Sequence, residues 1–161
     1  MTEESKVAAP ALDRLWQMLL GFQVTQALHA AAKLGIFDVL RDGPEAVPEI
    51  AAATGAHEPT LRRLLRTLTT VHVVTEDQTG RFASTALGEM LRSDHPQSTR
   101  SEAIMLGEAF IWRPWGDLYE AVRTGKPAFR AAVRRDLFRL PHPSARRGRC
   151  VRRGDDERKH P

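Results

Sequence analysis

The chain has 161 residues, 24 Lys and Arg against 20 Asp and Glu, and one cysteine, Cys150. That length suits one domain with a modest core, and a lone cysteine excludes a disulfide framework or a multi-cysteine metal site within the chain. Charge is unevenly placed: residues 1–129 carry 13 basic against 16 acidic side chains (net −3), and residues 130–161 carry 11 against 4 (net +7). The basic excess therefore lies away from the patterned part of the sequence, which argues against a nucleic-acid partner.

Residues 1–9 read as a frayed, mildly acidic terminus without the basic region and cleavage pattern of a secretory signal. A cytoplasmic protein is the expectation. Pro10 is expected to open a helix, because its missing N–H costs nothing in a first turn. Leu12, Leu15, Trp16, Leu19 and Leu20 follow at spacings of three and four, and the pattern resumes through Phe22, Val24, Ala27, Leu28, Ala31 and Leu34, with a bend at Gly21. The least polar stretch, residues 15–32, contains Gln17, Gln23, Gln26 and His29, so no membrane span is expected. Gly35 is placed as a helix C-cap before a short turn of helix over residues 36–40. Apolar groups here point to several sides, so this region must pack on a partner or be deeply buried.

Residues 47–54 form a short helical pattern stopped at Gly55, and a second helix runs from Pro59 to Thr70 with Leu61, Leu64, Leu65 and Leu68 inward. Val71, Val73 and Val74, a turn at residues 77–80 and a returning strand at residues 81–83 make a β-hairpin. Thr85 begins the next helix. Helix–turn–helix plus hairpin is a winged-helix arrangement. Residues 98–122 are again helical, broken at Pro114, and residues 124–127 turn. Beyond Phe129 periodicity fades, and residues 130–161 read as a disordered basic tail.

Three constellations carry potential chemistry. Arg62, Arg63 and Arg66 sit where a recognition helix would touch DNA, but a solvated outer face fits them equally, and the acidic balance of the domain favours that reading. Met105, Phe110, Trp112, Trp115 and Tyr119 offer rigid apolar area for a flat ligand, with core packing as the alternative. The histidines show no metal-ligand spacing, and His29 and His57 read as structural or exposed. No serine-nucleophile motif, phosphate-cradling loop or paired-carboxylate signature is present, so no catalytic, cofactor or metal residue is assigned.

Residues 25–28 (TQAL), 34–40 (LGIFDVL), 62–66 (RRLLR) and 85–94 (TALGEMLRSD) together resemble the N-terminal region of bacterial S-adenosylmethionine-dependent O-methyltransferases acting on polyketide and anthracycline-type natural products. The resemblance covers residues 11–129. It implies a mainly α, winged-helix-like dimerisation domain that does not bind DNA, whose N-terminal helices exchange contacts with a second subunit. It further implies that Met105, Phe110, Trp112 and Trp115 form one wall of a cavity for a small aromatic substrate. The alternative is a winged-helix transcriptional regulator using Arg62, Arg63 and Arg66.

His72 departs from the family, which has glycine there. If the backbone is left-handed at that point, the imidazole-bearing residue is strained. Ser84 and Ala86 replace an apolar residue and a proline. After Phe129 the Rossmann-like domain that binds S-adenosylmethionine in the intact family is absent, so the reading is a truncated chain, inactive alone. Arginine enrichment is what an out-of-frame reading of a GC-rich gene would give, and residues 130–161 are read as such a frameshift product.

Overall fold

The three-and-four spacing of apolar residues yields one long helix, α1 (Glu3–Leu34), in the computed structural model, which describes the backbone of residues 3–128 and the side chains of residues 10–128. Gly35 ends it in the left-handed conformation (φ 74°), with its N–H donating to the Ala32 carbonyl at 3.2 Å, a geometry that costs glycine little. Helix α2 (Ile36–Val39) and a 3₁₀ turn (Leu40–Asp42) follow directly. They deliver Ile36, Phe37 and Leu40 into the interior.

A two-residue strand, β1 (Glu45–Ala46), leads into α3 (Val47–Thr54), with Pro48 in its first turn and Gly55 (φ 68°) closing it. Helix α4 (Glu58–Thr70) buries Leu61, Leu65 and Leu68, a single stripe at helical spacing. The hairpin is β2 (Val74–Glu76) and β3 (Arg81–Ser84). Its turn is organised by Asp77, whose Oδ1 accepts from the Thr79 N–H, the Thr79 hydroxyl and the Arg81 N–H at 2.8, 2.7 and 3.0 Å. The sheet order is β1-β3-β2, all antiparallel, and Phe82 on the middle strand pairs with Glu45 on one side and Glu76 on the other.

Thr85 caps α5 (Ala86–Glu89) by accepting from the Gly88 N–H at 3.3 Å. Three further helices complete the described chain: α6 (Arg100–Gly107), α7 (Ala109–Gly116) and α8 (Leu118–Thr124). The core is the winged-helix unit itself, centred on Phe37, Phe82, Ile36, Ile50, Leu65 and Leu68, and joined by Ala27 and Ala31 from the end of α1. This is the mainly α fold with a winged-helix arrangement expected from the sequence, with no Rossmann fold among the described residues.

Several local expectations change. The segment read as a frayed terminus is helical from Glu3, and Pro10 lies inside α1 rather than at its start. The first ten residues hold Glu, Lys and Ala, good helix formers, which favours continuing the helix on the N-terminal side of the proline. Gly21 does not interrupt the helix. Pro114 likewise sits within α7; the breaks fall at Glu108 and Asp117 instead. Strand β1 was not legible, because two residues carry no periodicity. His72 is the only described non-glycine residue with positive φ, at 57°, which meets the condition under which the sequence reading placed strain there. The basic tail at residues 130–161 lies outside the described residues.

Candidate functional site

Residues 10–20 of α1 are exposed one after another, including Leu12, Leu15, Trp16, Met18, Leu19 and Leu20. On a helical wheel Leu12, Leu15, Trp16 and Leu19 form one stripe, while Met18 and Phe22 widen it on one side and Leu20 on the other. A face this apolar is far wider than single exposed residues on a soluble surface and marks a contact with another body. Only the last third of the helix enters the core, through Ala27, Ala31 and Ala32.

That last third also carries α6, which runs antiparallel along it. Arg100 reaches the Ala32 carbonyl (3.1 Å), His29 Nδ1 meets the Ile104 carbonyl (2.8 Å), and Gln26 Nε2 donates to the Gly107 carbonyl (3.4 Å). Lys33 pairs with Glu108 just beyond α6. The lysine's hydrogen bond holds the Glu108 carboxyl below its usual range. Small residues make the approach possible: the His29 ring occupies the place a side chain at Gly107 would need. Sequence reasoning left His29 as structural or exposed and did not find its partners. A histidine inside an Ala-rich helix and a glycine ending another were the only local signals.

Met105 lies on α6, and Phe110, Trp112 and Trp115 lie on α7, so the four residues expected to wall a cavity sit on consecutive, mutually packed helices. Met105 and Phe110 are exposed, Trp112 is half-buried, and Trp115 is 67% exposed. None belongs to the buried core among the described residues. Leu118, Tyr119 and Val122 on α8 extend the exposed apolar surface.

The arginines of α4 are arranged differently. Arg66 makes a two-pronged contact with Glu76 on β2, 3.3 Å for each prong, and Arg62 faces Glu58 at 3.5 Å. Two of the three cations are thus matched to carboxylates of their own domain, and nothing in the geometry supports a DNA-reading helix. No group of His, Cys, Asp or Glu suited to a metal ion occurs among the described residues. None of the described helices is long and apolar enough to cross a membrane. Nor do the described residues fit S-adenosylmethionine: the positive-φ glycines close helices or turns, and the sheet has no parallel strand-to-helix crossover to cradle a cofactor.

Residues 16–94 match the O-methyltransferase dimerisation domain. The chain is 43% identical over 150 residues to the phenazine O-methyltransferase PhzM of Lysobacter antibioticus, covering 91% of this chain and 44% of that protein. Such a share cannot be reached without passing Phe129. It is 39% identical to the 8-amino-8-demethylriboflavin N,N-dimethyltransferase of Streptomyces davaonensis, over 80% of this chain and 37% of that one. Among solved structures, the calicheamicin-biosynthesis methyltransferase CalO1 in its SAH-bound form superposes with a TM-score of 0.68 at 35% identity, covering 86% of this chain and 40% of that one. The chain spans less than half the length of these relatives. Residues 16–94 therefore belong to the O-methyltransferase dimerisation-domain family, in a chain whose relatives include bacterial natural-product O-methyltransferases.

Proposed function

We propose that this chain is the self-associating, substrate-enclosing region of a cytoplasmic S-adenosylmethionine-dependent O-methyltransferase that modifies a hydroxyl on a small aromatic natural product. The observation that carries the reading is the unpartnered apolar face of α1, within a chain containing a dimerisation domain. Two such faces brought together by a two-fold axis would cover each other, as isologous interfaces do. The cofactor reading is supported by the SAH-bound relative, SAH being what remains of S-adenosylmethionine after methyl transfer. The substrate class is supported by relatives named for a phenazine and a riboflavin derivative, both flat and aromatic. In this reading Met105, Phe110, Trp112 and Trp115 supply one apolar wall of the substrate cavity, and chemistry is performed by residues outside 10–128. Residues 11–129 make up the associating unit, and residues 130–161 are a separate basic segment.

Sedimentation equilibrium tests the association. The chain is expected to be a dimer, and Leu15→Glu with Leu19→Glu is expected to give a folded monomer, because both leucines are more than half exposed within one protomer. A wild-type chain that sediments as a monomer would remove the basis of the reading.

A further inference from the structure

The helices α6, α7 and α8 contain no fully buried residue. Ala103 packs at the edge of the core and the His29 ring lies against Gly107, and polar fastenings join α6 to the winged-helix unit beside them. Arg100, the first residue of α6, is the most connected. Its Nη1 lies 2.8 Å from Asp38 Oδ2, and its Nε donates to the Ala32 carbonyl at 3.1 Å, so one guanidinium grips both α1 and α2. Its own N–H donates to the Ser98 hydroxyl at 3.3 Å. The other oxygen of Asp38 accepts from the Ser93 N–H at 2.8 Å and the Ser93 hydroxyl at 3.0 Å. Asp38 therefore fastens the connector after α5 and the start of α6 at once.

The side chains of both partners are only 26% exposed, so water competes weakly for this pair. Around it, Arg41 faces Asp38 at 3.9 Å and Asp94 at 3.4 Å, and Arg92 bridges Asp94 and Glu89. Each charge is matched by an opposite one. A planar guanidinium suits the double attachment in a way a lysine ammonium does not.

We propose that Arg100 and Asp38 are a positioning pair that sets how the α6–α8 arm docks on the core, and that the arm, with its exposed aromatic residues, opens and closes as a unit without unfolding the winged helix. Local opening of this kind belongs to segments with few buried apolar contacts and a small number of specific attachments. The inference concerns attachment alone and stands whether or not α7 meets a substrate.

Hydrogen exchange on the full chain, followed peptide by peptide, tests it. Arg100→Gln is expected to speed exchange of the α6 amides at least tenfold, the scale of a lost hydrogen bond to a charged group, while α4 amides change less than twofold. Asp38→Asn, which keeps an acceptor for Ser93, is expected to act alike, and the double variant to add little to either single one. Arg100→Lys should recover part of the protection. Trp112 and Trp115 give a second readout, and in a Trp16→Phe background the near-ultraviolet circular dichroism should weaken in Arg100→Gln. Unchanged α6 exchange would overturn the proposal, since the arm would then be held by Ala103 and its apolar neighbours. So would equal acceleration in α4 and α6, including through failure of the variant to fold, since the pair would then be part of the global core.

Discussion

The ring of His29 lies directly against the backbone of Gly107, in the space where any other residue would place its Cβ. The same ring directs Nδ1 to the Ile104 carbonyl at 2.8 Å, so one histidine both fills the gap between α1 and α6 and satisfies a carbonyl of the helix it faces. Gly107→Ala is expected to destabilise the chain by about 1–3 kcal/mol, the usual cost of overpacking, read from urea unfolding. His29→Ala in the same chain should relieve that clash, so the double variant should lose less than the sum of the two single losses.

His72 holds a left-handed backbone (φ 57°) between α4 and β2, a conformation that costs a side-chain-bearing residue about 1–2 kcal/mol. Part of that cost is offset by the lower chain entropy of an unfolded histidine relative to glycine. His72→Gly is expected to raise stability by about 0.5–1 kcal/mol. A higher thermal midpoint with an unchanged circular-dichroism spectrum would be the result to look for.

Ser84 buries its hydroxyl without a hydrogen-bond partner among the described residues, close to where Gly88 passes the Val73 carbonyl. An orphaned buried hydroxyl is costly because it has given up water for nothing. Ser84→Ala is expected to be neutral or to stabilise the chain by about 1 kcal/mol, and a clear loss of stability in chemical unfolding would contradict this account.

Acid is expected to weaken the chain. Hydrogen bonds from Lys33 lower the pKa of Glu108 from its ordinary 4.5, and hydrogen bonds from Arg92 and from Thr79 and Arg81 lower those of Asp94 and Asp77 from 3.8. A carboxyl with a lowered folded pKa contributes stability above its unfolded value, and that contribution disappears as pH falls through the folded one. The urea midpoint should therefore be level above about pH 5.5 and fall progressively below about pH 4.5. Added salt should shrink the contributions of Glu108 and Asp94, which are exposed ion pairs. It should leave that of Asp77, held mainly by short hydrogen bonds within its own turn.

The winged-helix unit was readable because its signals are local and mutually consistent. Leu61, Leu65 and Leu68 keep helical spacing, Gly35 and Gly55 mark helix ends, and Asp77–Gly80 has turn chemistry. The site was readable only as a list. Met105, Phe110, Trp112 and Trp115 announced apolar surface, but not whether they were core or exterior, since hydrophobicity alone does not distinguish the two. The Asp38–Arg100 pair and the His29–Gly107 contact join residues far apart in sequence, and neither has a spacing by which to find it. Residues 130–161 differ sharply in charge from what precedes them, yet the phenazine O-methyltransferase match continues past Phe129, so the change in composition is not where the family likeness stops.

The bare stretch of α1 bears on how the molecule is made. Most helical stability in proteins comes from packing of an apolar face, and residues 10–20 are exposed within their own protomer. Consolidation of this stretch must then wait for a second surface to arrive. In the proposed dimer the last phase of refolding is a collision, second-order in chain concentration, and it competes with every other apolar surface that the newly made chain encounters.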